Sequence, residues 1–288
     1  MKKIKEFIIE KAIFLSGGLS IIFVVLIFVF LIKEGVLFFK YVPLRDSLMG
    51  NNWYPLSNPE QFGMLPLILG SLLVTIGSML ISIPLGVACA FYIAEVVNPK
   101  FKDILKTGVE LLAAIPSVVI GFVGMVTLVP WVKSIFNLPT GLTALSGSIM
   151  LAFMAMPTIV SIAEDAITAV PRRYKEAALA LGATHWQAMY KVIIVAAAPG
   201  IFAAVMLGVG RVIGETMAVM MITGNAAVIP HTFLEPVRTL TATIAAEMGE
   251  SIRGSNHYYA LFVVGIILFV ITFIINLLAD IFLHRIKK

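Results

Sequence analysis

Cysteine occurs once in the 288 residues, at Cys89. No disulfide can therefore form within the chain, and the paired Cys/His spacings that hold structural metals are absent. Charge is scarce as well. Asp, Glu, Lys and Arg make up 13% of the residues, while 60% are hydrophobic. So few charges would leave the surface of a soluble domain poorly solvated, since such domains usually carry about 25%. Histidine appears only at 185, 231, 257 and 284, scattered along the chain. No H-E-x-x-H run and no G-x-x-x-x-G-K-[ST] phosphate loop is present. Both zinc-protease chemistry and ATP binding by that loop are thereby excluded. No catalytic residue, metal site or bound cofactor is expected.

What the chain has is long uncharged runs. Several reach about 20 residues, enough to cross a ~30 Å hydrocarbon layer as helix. In lipid each span must satisfy its own backbone hydrogen bonds, and the ~10-residue alternating strands of a membrane barrel are missing. Six transmembrane helices are expected, at about 12–32, 66–93, 108–131, 143–164, 192–221 and 258–282. All belong to one domain, 1–288. The run after MKKIKEFIIEK is longer than a signal-peptide core and no small-x-small site closes it, so it reads as a retained first span. Pro84 is expected to bend the second span.

The net charge is +5, and its cations sit in short loops. With the N-terminus inside, fourteen Lys and Arg fall on the inner side and six on the outer. That asymmetry orients the chain with both termini cytoplasmic, and it points to topology rather than nucleic acid. Two long outer loops remain, at about 33–64 and 222–257. "NNWYPLSNPEQFG" has the composition of an interfacial loop, and "TFLEPVRTLTATIAAEMGE" that of a short helix on the outer face.

Two stretches carry the functional signal. The first is "GVGRVIGETMAV", 208–219. Arg211 and Glu215 are the only charges between Lys191 and Glu235. Placing an ionised group at mid-membrane costs roughly 2.5–3.5 kcal/mol on insertion scales, so such a group is retained for a purpose. Spacing i, i+4 on one helix predicts that the two side chains share a face and touch. Two readings fit: an ion pair that fixes helix packing, or a pathway for an anion. Ser71, Thr75, Glu110, Ser117 and Thr216 are read first as partners in helix–helix hydrogen bonds. Met217, Met220 and Met221 are read as packing residues.

The second stretch is "AVPRRYKEAALALGATHWQAMYK", 169–191. Val170-Pro171 ends the fourth span, and Pro171 opens a new helix. Gly182 permits a tight turn before a second helical piece. The result is a short helix projecting into the cytoplasm, fit either for a groove on a soluble partner or for the membrane surface.

"EAALALG" resembles the E-A-A-x-x-x-G loop of binding-protein-dependent ABC importer permeases, with Glu176, Ala177, Ala178 and Gly182 in register. Residues 62–95, 111–124 and 208–225 are similar to the phosphate-specific branch, and 223–250 to its C-type permease. The resemblance implies the type I permease architecture in a bacterial or archaeal cell membrane. It also implies a phosphate pathway at Arg211 and Glu215, and contact with an ATPase through Glu176, Ala177, Ala178 and Gly182. The partners it implies are a second, A-type permease, two ATPase subunits that hydrolyse the ATP, and an extracytoplasmic phosphate-binding protein. Another oxyanion (molybdate or sulfate) and a non-transporting sensor are the rival readings.

Overall fold

The computed structural model describes residues 2–286. Lys287 and Lys288, counted above on the inner side, lie outside the described residues. The elements run α1 (Lys2–Phe38), α2 (Leu44–Met49), β1 (Trp53–Tyr54), β2 (Gln61–Phe62) and α3 (Leu65–Phe91). A π turn, Tyr92–Val96, closes α3. Then come α4 (Pro99–Ala113), α5 (Ser117–Ile135), α6 (Ala144–Thr168), α7 (Arg172–Ala180) and α8 (His185–Ala188). A second π turn, Met189–Ile193, leads into α9 (Ile194–Ile213). The last three are α10 (Met217–Ile222), α11 (Leu240–Glu247) and α12 (Asn256–Ile286).

Among the described residues, six helical stretches are long and apolar enough to cross a membrane: Ile9–Phe38, Leu65–Val96, Ser117–Ile135, Ala144–Thr168, His185–Ile213 and Asn256–Ile281. Two depart from the expected bounds for local chemical reasons. The third begins at Ser117 rather than near 108. Pro116 supplies no N–H and drives Ile115 out of helical geometry, so the chain breaks there. The stretch before it is α4, a separate amphipathic helix on which Glu110 is exposed. The expected 192–221 span divides at Gly214, and α10 restarts at Met217. Pro84, by contrast, sits inside an α3 that runs on to Phe91.

At the centre stands α6, packed between α3 and α9. Small residues, among them Ala144, Ser146, Gly147, Ser148, Ala152, Ala155 and Ala163, alternate on its buried face with larger ones such as Leu151, Met154 and Ile159. Without a hydrophobic force between helices in lipid, the small residues give close van der Waals contact instead. Ile159 of α6 is gripped from both sides. A Cβ on Gly86 of α3 would stand 2.9 Å from its Cγ2, and one on Gly208 of α9 would stand 2.7 Å from its Cγ1. At these two positions only glycine leaves room for the isoleucine.

The end of the molecule that carries the hairpin has its own core, in which Phe38, Trp53, Phe62, Met64, Leu67, Leu240, Leu261 and Val264 pack together. The segment read as an interfacial loop is instead a two-stranded hairpin pairing Trp53 with Phe62. Its Trp53 is 1% exposed, because the indole N–H donates to Glu247 Oε2 at 3.0 Å and so has no need of water. The helix expected on the outer face is α11, and its first turn is buried rather than laid on the surface.

Candidate substrate pathway and coupling loop

The depth of Arg211 follows from the antiparallel pairing of α6 and α9. Gly200 faces Ala166 and Gly208 faces Ile159, so the two helices run in opposite directions through the same slab. The Arg211 Nη1–H donates to Thr158 Oγ1 at 3.2 Å. Thr158 lies 14 residues from the start of α6 and 10 from its end. At ~1.5 Å per residue that is about 21 Å and 15 Å, close to the middle of a membrane crossing. Arg211 is half-buried there. Thr158 is its hydrogen-bond partner, and among the described residues no carboxylate lies within ion-pair distance of it. The guanidinium fork has five donors, so most of them point away from protein acceptors. On the same helix Gly210 and Gly214 are exposed and Leu207 is 55% exposed, and a Cβ at 210 would meet nothing within 4 Å. Arg211 thus emerges at the edge of a face that this chain leaves uncovered.

The expected contact between Arg211 and Glu215 does not form. The i, i+4 rule needs a continuous helix, and the helix stops between the two residues. Glu215 Oε1 instead accepts from the backbone N–H groups of Met217 and Ala218 at 3.1 and 3.2 Å. A carboxylate is well placed at the unsatisfied N–H groups that open α10. The Glu215 carbonyl accepts from Thr241 Oγ1 at 2.9 Å, which ties the break to α11. Around it a very small cavity of mixed lining sets Ser71, Thr75, Glu215, Thr239 and Thr241 among Val74, Leu151, Val212, Ile213 and Val219. Ser71 Oγ accepts from the Leu240 N–H at 2.9 Å, a link between α3 and α11. Thr75 and Thr216 donate within their own segments, to the Ser71 and Gly214 carbonyls. Met221 packs by its sulfur on Gly121 of α5.

The 169–191 loop is built as two short helices around a glycine turn. Gly182 has φ +84°, left-handed backbone that disfavours side chains. Ala183 N–H donates to the Ala178 carbonyl at 3.1 Å and Gly182 N–H to the Leu179 carbonyl at 3.0 Å, a Schellman closure of α7. Thr184 and Gln187 form a reciprocal capping box that opens α8. Glu176 and Ala177 are exposed on α7 while Ala178 is buried beneath it. Leu181, at the tip, is 90% exposed.

Three clusters carry no signal in sequence spacing. Near the end of α6, Glu164 is 2% exposed, and Lys102 and Lys106 of α4 each lie 2.8 Å from one of its oxygens. Thr168 Oγ1 donates to Glu164 Oε1 at 2.7 Å, and Lys106 also pairs with Asp165. Hydrogen bonds to Asp165 and then Glu164 push the Lys106 ammonium above the usual lysine range, despite the opposing effect of burial. Nearby, Lys175 of α7 lies 2.5 Å from Glu95 in the first π turn. Beside the hairpin, Glu247 of α11 gathers Trp53, Arg238 and His257, the last through Nε2 at 2.9 Å. All three join residues far apart in the chain, which is why periodicity does not display them.

Residues 82–288 match the family described as binding-protein-dependent transport system inner membrane component. The chain is 41% identical over 233 residues to the probable ABC transporter permease protein YqgH of Bacillus subtilis, covering 81% of this chain and 75% of that one. The chain belongs to this family. It is also 35% identical over 258 residues to the phosphate transport system permease protein PstC of Mesorhizobium japonicum, covering 83% and 78%. Its fold is similar to a chain in the crystal structure of a bacterial alginate ABC transporter, with TM-score 0.67 and 18% identity, covering 100% and 98%. As a permease of this family it is a multi-pass cell-membrane protein with a transport role rather than an enzyme. The six long helices accord with that placement.

Proposed function

We propose that this permease forms half of the pathway of an ATP-driven importer of inorganic phosphate. The observation that carries the proposal is a mid-depth guanidinium held by a neutral threonine, with no carboxylate among the described residues in ion-pair reach. A half-buried arginine at that depth without a paired carboxylate attracts an anion, and its planar fork matches a pair of phosphate oxygens. The names of relatives 30–35% identical to this chain favour phosphate over molybdate or sulfate. In this reading the exposed strip beside Arg211 is completed by an A-type permease. An extracytoplasmic phosphate-binding protein delivers the anion to the outer side. Two ATPase subunits bind the 169–191 loop through Glu176, Ala177, Ala178 and the turn at Gly182. Both termini lie in the cytoplasm, and lipid covers the outer helices.

Glu215 serves the pathway by holding the break after α9. Its Oε2 remains available to accept a hydrogen bond from a protonated phosphate oxygen. Sulfate carries no such proton near neutral pH. The deciding experiment is phosphate uptake by the complete complex in proteoliposomes. Arg211→Gln is expected to lose about tenfold or more, since a charge-assisted hydrogen bond is worth roughly 1.5–3 kcal/mol. Uptake at the unmodified rate would remove Arg211 from the pathway. No phosphate uptake at all by the unmodified complex would favour a sensory subunit.

A further inference from the structure

The segment 91–106 holds the coupling loop at two points and the end of α6 that leads into it at two more. Phe91 meets the Trp186 ring edge-on, with centroids 5.8 Å apart. Glu95 pairs with Lys175 at 2.5 Å. Lys102 bridges Glu164 and Thr168, and Lys106 bridges Glu164 and Asp165. The grip therefore starts on the last turn of α6, crosses α7 and ends on α8. Every partner on the other side belongs to one continuous piece of chain, the end of α3 with its π turn and α4.

The chemistry of these contacts differs from that of ordinary surface pairs. Exposed ion pairs contribute little and come apart freely. Here the side chains of Glu95 and Glu164 are only 15% and 2% exposed. Breaking a shielded pair leaves a charge without solvent or partner, so the pair moves as a unit. The π turns lie where they would be needed, at Tyr92–Val96 under α7 and at Met189–Ile193 beyond α8. Such turns are local weak points in a helix and recur at functional positions.

We infer that 91–106 is a second coupling element, and that Glu95 is the positioning residue which hands loop motion to α3. Covalent continuity links the loop only to α6 and α9. The Glu95–Lys175 pair adds α3, the remaining helix of the central trio, so that a push on α7 displaces all three together. This rests on the reading of 169–191 as the ATPase contact. Glu95 touches neither substrate nor ATP, and it acts through Lys175.

The test is the number of phosphate ions imported per ATP hydrolysed by the complete reconstituted complex. Glu95→Gln and Lys175→Met are each expected to assemble with the ATPase and to hydrolyse ATP, while that ratio falls about threefold or more. The double exchange Glu95→Lys with Lys175→Glu restores the opposite charges, and the ratio should recover. A merely structural pair would lower assembly or melting temperature and leave the ratio of surviving complexes unchanged. An unchanged ratio in both single variants, or loss of assembly in either, overturns the inference. If the unmodified complex imports no phosphate, the failure lies in the functional reading and not in Glu95.

Discussion

Arg211 is paired with Thr158 and Glu215 with the opening of α10, so the two charges act separately. Their variants should therefore differ in kind. Arg211→Lys keeps the charge but replaces the planar fork by a point donor. It should retain part of the phosphate uptake lost in Arg211→Gln, as measured in proteoliposomes. Glu215→Ala removes a helix cap and should cost about 1 kcal/mol of stability, seen as a lower melting temperature in detergent. Glu215→Gln keeps an acceptor oxygen for the cap, so its melting temperature should stay close to the original. Its effect on sulfate exclusion then isolates the selectivity role. Phosphate flux and sulfate exclusion both unchanged in Glu215→Gln would leave Glu215 only its cap. Both charges were legible in sequence as unusual. Their separation was not, because hydropathy runs unbroken across Gly214 and hides the end of the helix.

At the scale of elements, the loop and the helix trio make different demands on their glycines. A Cβ at Gly182 meets nothing within 4 Å, so only its φ of +84° resists substitution. ATPase co-purification should then follow backbone tolerance rather than size. Gly182→Asn should bind nearly as well as glycine, Gly182→Ala less well, and Gly182→Val least. A series ordered by volume alone would contradict this. Gly208 is limited by space instead, and Gly208→Leu should cost about 1–3 kcal/mol through overpacking on Ile159, read from thermal unfolding. The turn at Gly182 could be read directly from E-A-A-x-x-x-G spacing. The limits of the third span could not, although Pro116 was in plain view, because α4 carries enough Leu and Ile to extend the apolar run. The contact of Gly208 with Ile159 spans 49 positions and leaves no local trace.

At the scale of the whole molecule, one chain leaves the Leu207–Gly210–Gly214 strip of α9 open. With Cys89 replaced by serine, a cysteine at 210 should react with a maleimide in the isolated permease and be shielded in the complete complex. Equal labelling in both would place the second permease elsewhere. The grip of α4 on α6 also sets a pH response. Lys106 faces Glu164 and Asp165, with Lys102 and Thr168 beside them, and its folded pKa is raised. A raised pKa contributes stability fully below the unfolded value of about 10.4, and that stability is lost only as pH rises through the folded value. Melting temperature should thus show no loss from deprotonation of Lys106 between about pH 6 and 9. The six-helix pattern was visible in the sequence because the length of apolar runs encodes it. The ion pairs that bind the helices were not, since partners such as Lys106 and Glu164 stand 58 positions apart.

The isoleucine held between Gly86 and Gly208 has a mechanical consequence. With its side chain wedged against two backbones, α3, α6 and α9 cannot slip past one another without first separating. The trio is pinned at that one depth, so the ends of its helices can still swing about the pin unless a tie such as Glu95–Lys175 joins them. A gate opens at the rim where α5 and α10 meet the trio and where Arg211 looks out.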